Sequence, residues 1–216
     1  MTIRLAVFDC DGTLVDGQAE VCDTMEAAFA EAGLPAPIRN AVRRSVGLSL
    51  PAAMRQLVPD ADEETQRHAV ECYRQIYRGR RMEGRISEPL YPGIPQLLHN
   101  LHQAGWLLAV ATGKSERGLR ACLETHGILD LFVSLQTADR HPSKPHPAML
   151  EAAMIEGGAL PEEAVMIGDT TFDILMANDA GVRAIGVDWG YHEAHELRVA
   201  GAQAVASDPA HLERLL

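Results

Sequence analysis

The stretch Ile3-Arg4-Leu5-Ala6-Val7-Phe8-Asp9-Cys10-Asp11-Gly12-Thr13-Leu14-Val15-Asp16 decides how the whole chain is read. Its apolar run with β-branched members reads as a buried strand, which ends in two carboxylates one residue apart and a glycine turn at Gly12. Two acids at the C-terminal edge of a strand repel each other and lose hydration. The arrangement is costly unless a cation or a shared proton offsets the charge. Asp9 and Asp11 therefore point to a cation-assisted site, against the plainer alternative of a solvated acidic turn.

Downstream of this stretch the texture is helical. Val21, Met25, Ala28, Phe29 and Ala32 recur at helical spacing before Gly33 and Pro35 stop the run. A second short helix over 38–46 ends at Gly47, a third opens at Ser49 and Pro51, and a fourth runs from Asp62 to about Arg78. The segment Gly79 to Pro92 reads as a connector. From Pro92 strands and helices alternate, with strands expected at 106–111, 131–135, 165–167, 184–187 and 204–206. Helices of this length between strands imply parallel pairing through right-handed crossovers. The expected fold is α/β, a doubly wound parallel sheet of Rossmann-like type built from residues 1–15 and 81–216. Residues 16–80 are inserted after the first strand as a helical cap.

Composition narrows the function classes. The 216 residues carry 30 acidic and 19 basic side chains, a formal net charge of −11 with no basic stripe, which argues against nucleic-acid binding. No stretch is apolar enough to span a membrane and the N-terminus enters a strand directly, so the expected compartment is the cytoplasm. The four cysteines, Cys10, Cys22, Cys72 and Cys122, lack CxxC spacing and suit reduced thiols. Only two of the basic residues are lysines, Lys114 and Lys144, which hints that a compact ammonium is wanted at those places.

In an open parallel sheet ligands sit beyond the carboxyl ends of the strands, where the winding reverses. Asp9 and Asp11, Thr112, Lys144, and Asp169 with Asp173 all fall at that edge. Each alone has an ordinary explanation as a cap or surface charge; their convergence does not. Three or four carboxylates with one lysine have the makings of a hard-cation site, and oxygen ligands favour Mg²⁺. With the acids offset, Asp9 can attack phosphorus, and Asp11 can protonate the leaving oxygen and then deprotonate water. The Thr112 hydroxyl and Gly113 amide can donate to phosphoryl oxygens, and the Lys144 ammonium can neutralise growing charge.

Asp9-Cys10-Asp11-Gly12-Thr13-Leu14, Thr112, Lys144-Pro145 and Gly168-Asp169-Thr170-Thr171-Phe172-Asp173 together resemble the four motifs of the haloacid dehalogenase superfamily of aspartate-nucleophile phosphatases. The resemblance covers essentially the whole chain. It implies Asp9 as nucleophile, Asp11 as general acid/base, and Thr112 and Lys144 on the phosphate. It also implies Mg²⁺ held by Asp9, the Asp11 backbone carbonyl and Asp169, with Asp173 in support. The helical insert is similar to the small cap of the phosphoglycolate phosphatase and β-phosphoglucomutase group. The implied substrate is a small phosphorylated metabolite, with a phosphosugar mutase as the alternative, and the implied assembly is a monomer or homodimer. A phosphoacceptor receiver domain also combines acids, Thr and Lys, but its phosphoacceptor lies mid-chain and it has no helical insert.

Substrate choice is expected to fall to the cap, where Arg43, Arg44, Arg55 and Tyr73 are candidates and Gly47-Leu48-Ser49 is a candidate site-facing loop. The pairs His99/His102 and His192/His195 are expected at the surface. His146 is expected to border the site. Strand alternation should turn Cys10 away from its acidic neighbours and into the packing.

Overall fold

The computed structural model describes residues 3–216. Its centre is a six-stranded, wholly parallel sheet of β1 (Leu5–Phe8), β2 (Leu107–Thr112), β3 (Phe132–Thr137), β4 (Ala164–Gly168), β5 (Arg183–Val187) and β6 (Ala204–Ala206). The spatial order is β3-β2-β1-β4-β5-β6, which puts the first strand in the middle and the reversal of winding between β1 and β4. Phe8 pairs with Val110 on one side and Ile167 on the other, so the ends of β1, β2 and β4 lie level.

Successive side chains of a strand point to opposite faces, and the core follows that alternation. Ala6, Phe8, Val110 and Ile167 pack under α5 (Ile94–Gln103), α6 (Glu116–Thr125) and α10 (Pro209–Leu215), through Leu98, Leu119 and Leu212. Leu5, Val7, Ala109 and Met166 pack on the opposite face under α7 (Ala148–Gly157), α8 (Thr171–Asp179) and α9 (Ala194–Val199), through Leu150, Ile174 and Leu197. Cys10 lies in the first of these clusters beside buried Cys122, as a packing residue turned from the acids.

Between β1 and α5 the chain forms α1 (Gln18–Glu31), α2 (Arg39–Ser45), α3 (Leu50–Leu57) and α4 (Glu63–Met82). Met25, Phe29, Val42, Met54 and Val70 close a small core of their own. The Asp62 carboxylate caps α4 by accepting the Thr65 N–H at 2.7 Å. This helix runs past Gly79, where the sequence suggested a connector. A helical glycine costs only about 1 kcal/mol, and two ion pairs hold the last turn: Arg80 to Glu20 at 2.7 Å and Arg81 to Glu88 at 2.8 Å. Helix α10 adds an element beyond those expected from the sequence, capped by Asp208 and opened by Pro209. Among the described residues no helix is long and apolar enough to cross a membrane.

Candidate active site

The carboxyl ends of β1, β2 and β4 deliver Asp9, Thr112 and Asp169 to one place, and all three are buried. The loop ahead of α7 adds Lys144, and the first turn of α8 adds Asp173, which is fixed by accepting from the Thr170 amide at 3.1 Å and its hydroxyl at 2.7 Å. Lys144 Nζ donates to Asp173 Oδ1 at 2.5 Å and lies 2.9 Å from Asp9 Oδ1. Asp169 accepts from the Thr13 hydroxyl at 2.8 Å and the Tyr191 amide at 2.9 Å. Gly12 makes the turn at φ +88°, and a side chain there would run into the Asp169 carboxylate.

Carboxylate oxygens of Asp9, Asp169 and Asp173 lie within 4.8 Å of one another. Three carboxylates against one ammonium leave two negative charges uncompensated, the charge of one divalent cation. Neither oxygen of Asp9 has a hydrogen-bond partner; the approach of Lys144 is an ion pair without hydrogen-bond alignment. Two orphaned oxygens in a buried, oxygen-only donor set fit a hard cation such as Mg²⁺. Burial pushes the Asp9 carboxyl up to about 7, against the pull of Lys144. Burial, then the charges of Asp9 and Asp173, push Asp169 up as well. Burial works against the Lys144 ammonium, but Asp173 and Asp9 more than offset it and raise its pKa.

The Asp11 carboxylate lies outside this cluster. Lys114 Nζ donates to both its oxygens, at 2.7 and 3.0 Å, and to Glu88 Oε1 at 2.7 Å. Glu88 also accepts from the Tyr77 hydroxyl at 2.6 Å and from Arg81 at 2.8 Å. Two acids, Asp11 and Glu88, thus face two cations, Lys114 and Arg81, and this second constellation is balanced without a metal. Both of the chain's lysines are held in near-buried ion pairs at the site. The sequence marked Lys114 only by the scarcity of lysine, and nothing marked Glu88.

A cavity of about 570 Å³ lies between the sheet edge and the helical insert, lined by Asp9, Asp11, Thr112, Gly113 and Lys114 on one side. The loop Gly47-Leu48-Ser49 faces it, with the Ser49 amide donating to Ser143 Oγ at 2.8 Å. Gly113 permits this approach. A Cβ there would collide with the Leu48 carbonyl oxygen and stand 2.8 Å from that of Gly47.

The three arginines expected to select substrate do not line this cavity, whereas Tyr73 does. Arg43 bonds Gln18, Arg44 is paired with Glu196 at 2.6 Å, and Arg55 is exposed. The lining guanidiniums are instead Arg74, Arg78, Arg81 and Arg117, the first three of them on successive turns of α4. His146 is not in the lining. His192 is buried, contrary to the surface position expected of it. Its Nδ1 accepts the Thr171 N–H at 3.1 Å, and burial, then Arg44, hold it below the usual histidine range.

A Rossmann-like parallel sheet with a helical insert over its switch point and buried aspartates gathered at its carboxyl edge is the arrangement of the haloacid dehalogenase-like hydrolases. The chain belongs to the haloacid dehalogenase-like hydrolase family, which it matches over residues 6–187. It is 36% identical over 204 residues to a Dickeya dadantii protein described as "Probable phosphatase IndB", covering 93% of this chain and 88% of that one. It is 32% identical over 218 residues to the phosphoglycolate phosphatase of Vibrio vulnificus, covering 97% and 94%. The crystal structure of a predicted phosphatase from Clostridium acetobutylicum superposes with a TM-score of 0.89 at 25% identity, covering 100% of this chain and 98% of that one.

Proposed function

We propose that this chain is a Mg²⁺-dependent phosphomonoesterase that acts on a small phosphorylated metabolite through an aspartyl-phosphate on Asp9. The observation that carries the reading is the Asp9 carboxylate, buried at the switch point, beside Lys144, with neither oxygen hydrogen-bonded. Asp9, Asp169 and the Asp11 backbone carbonyl would hold the metal, with Asp173 in support. Bound there, Mg²⁺ would offset the carboxylates and polarise a phosphoryl oxygen.

The remaining work falls to the chain's own groups. An Asp9 oxygen forms the bond to phosphorus as the P–O bond to the leaving group breaks, and Asp11 delivers a proton to that departing oxygen. Asp11, now ionised, takes a proton from the water that attacks phosphorus, and inorganic phosphate leaves with Asp9 regenerated. Thr112 and the Gly113 amide orient the phosphoryl oxygens, and Lys144 balances charge in both steps. The insert, docked by the loop 47–49, excludes bulk water.

The test is phosphate release from a panel of phosphomonoesters with Mg²⁺, including phosphoglycolate, the substrate in the names of the Vibrio relatives, and hexose 1-phosphates. Isomer formation is followed in parallel. Wild-type protein should release phosphate and the Asp9→Asn variant should not; appreciable turnover by that variant would remove the assigned nucleophile.

A further inference from the structure

The insert side of the cavity carries an apolar patch beside the polar and charged residues of α4. Val21 and Met25 from α1, Leu50 and Ala53 from α3, and Tyr73 from α4 line it; Met25 belongs to the small core inside the helical insert, and Val21, Leu50 and Tyr73 pack against that core. Tyr73 is stacked on Tyr77, ring centroids 6.0 Å apart and planes 11° from parallel. The cations nearest the chemistry are already committed. Lys114 is held by Asp11 and Glu88, Arg81 by Glu88, and Lys144 by Asp9 and Asp173. The other lining guanidiniums, Arg74, Arg78 and Arg117, are exposed.

A short anionic leaving group such as a two-carbon carboxylate would find no uncommitted buried cation there. It would also leave most of a 570 Å³ cavity unfilled, a volume in the range that encloses a drug-sized ligand. We infer that the preferred substrate is a phosphomonoester whose leaving alcohol carries an apolar, aromatic group that packs between the α1–α3 wall and the Tyr73 ring. The inference rests on the phosphatase reading above and adds to it the class of leaving group. The selecting contacts are the burial of apolar surface by Val21, Met25, Leu50 and Ala53, and ring packing on Tyr73.

The experiment compares kcat/KM for ethyl phosphate, phosphoglycolate and 2-phenylethyl phosphate with Mg²⁺. All three release a primary alcohol, so the chemical step is matched and the ratio reads the pocket. One methylene in an apolar pocket is worth about tenfold or more. The aryl ester should therefore exceed both others by at least about tenfold. Leu50→Asn, which puts an amide into the apolar wall, should lower the ratio of aryl to ethyl ester severalfold, with a thermal melt confirming the fold. Phosphate release from ethyl phosphate or phosphoglycolate at a kcat/KM equal to or above that of the aryl ester would overturn this inference and leave the phosphatase reading standing. Release from none of the three would overturn that reading and the inference with it.

Discussion

Replacing Lys114 by methionine removes the one ammonium that holds the Asp11 carboxylate. The side chains of Lys114, Asp11 and Glu88 are 9%, 13% and 4% exposed, so the rule for surface pairs, under about 1 kcal/mol, does not apply. Breaking a buried pair by deleting one partner costs about 3–5 kcal/mol, because the remaining charge is stranded. Glu88 keeps Arg81 and the Tyr77 hydroxyl, which leaves Asp11 as the main stranded acid and puts the loss near the lower end, about 3 kcal/mol. For a chain of this length that corresponds to a fall in Tm of about 6–12 °C. General acid–base catalysis is worth about 10²–10⁴-fold, and an Asp11 free to swing should forfeit at least tenfold of it in kcat. Circular-dichroism melts and steady-state phosphate release measure both effects. Adding Asp11→Asn removes the stranded carboxylate and should return about 1–2 kcal/mol of stability in a double-mutant cycle. A Lys114→Met protein that melts within about 2 °C of wild type and turns over within about twofold of it would refute the reasoning.

The close contact at Gly113 makes Gly113→Ala informative. The new methyl meets the backbone carbonyls of Gly47 and Leu48, which cannot rotate away, so the loop 47–49 must lift. With misplacements near 1 Å costing about 10²-fold, kcat/KM should fall at least tenfold while the melt changes little; wild-type kinetics would show that the loop is not held against the site. The raised pKa values of Asp9 and Asp169 give a metal-linked pH dependence. Asp9 moves from an ordinary 3.8 to about 7 in the folded chain, so the metal-free fold is favoured by its protonation below 3.8 and loses that contribution as pH rises through 7. A divalent cation displaces the protons and offsets the charge, so the rise in Tm on adding Mg²⁺ should be larger near about pH 8 than near about pH 5. A rise independent of pH would contradict a cation site on these acids.

Much of this arrangement is legible in the sequence, because strand ends are marked by chemistry as well as by hydropathy. Asp9, Thr112 and Asp169 each follow a short apolar run, and a parallel sheet has only one carboxyl edge to gather them. The scarcity of lysine was also informative, since both lysines sit in ion pairs where a compact ammonium reaches two carboxylates at once. The insert was legible as helices but not as a surface. Which of its arginines face the cavity depends on how α4 lies over the sheet, and Arg44 finds Glu196 some 150 residues away. His192 illustrates the same limit. Its spacing to His195 suggested a surface pair, while its burial follows from the Thr171 amide that only the folded chain brings to it. The extension of α4 past Gly79 was hidden because its anchors, Glu20 and Glu88, lie outside the helix.

The central claim is the covalent role of Asp9, and borohydride trapping tests it most directly. The enzyme is mixed with Mg²⁺ and a turned-over phosphomonoester, quenched during turnover, reduced, and digested for mass spectrometry. An acyl phosphate on Asp9 is reduced to the alcohol, so the peptide spanning Leu5 to Asp16 should carry homoserine at position 9, and only when substrate is present. Homoserine at another aspartate, or an unmodified Asp9 in protein that releases phosphate under the same conditions, would contradict the account.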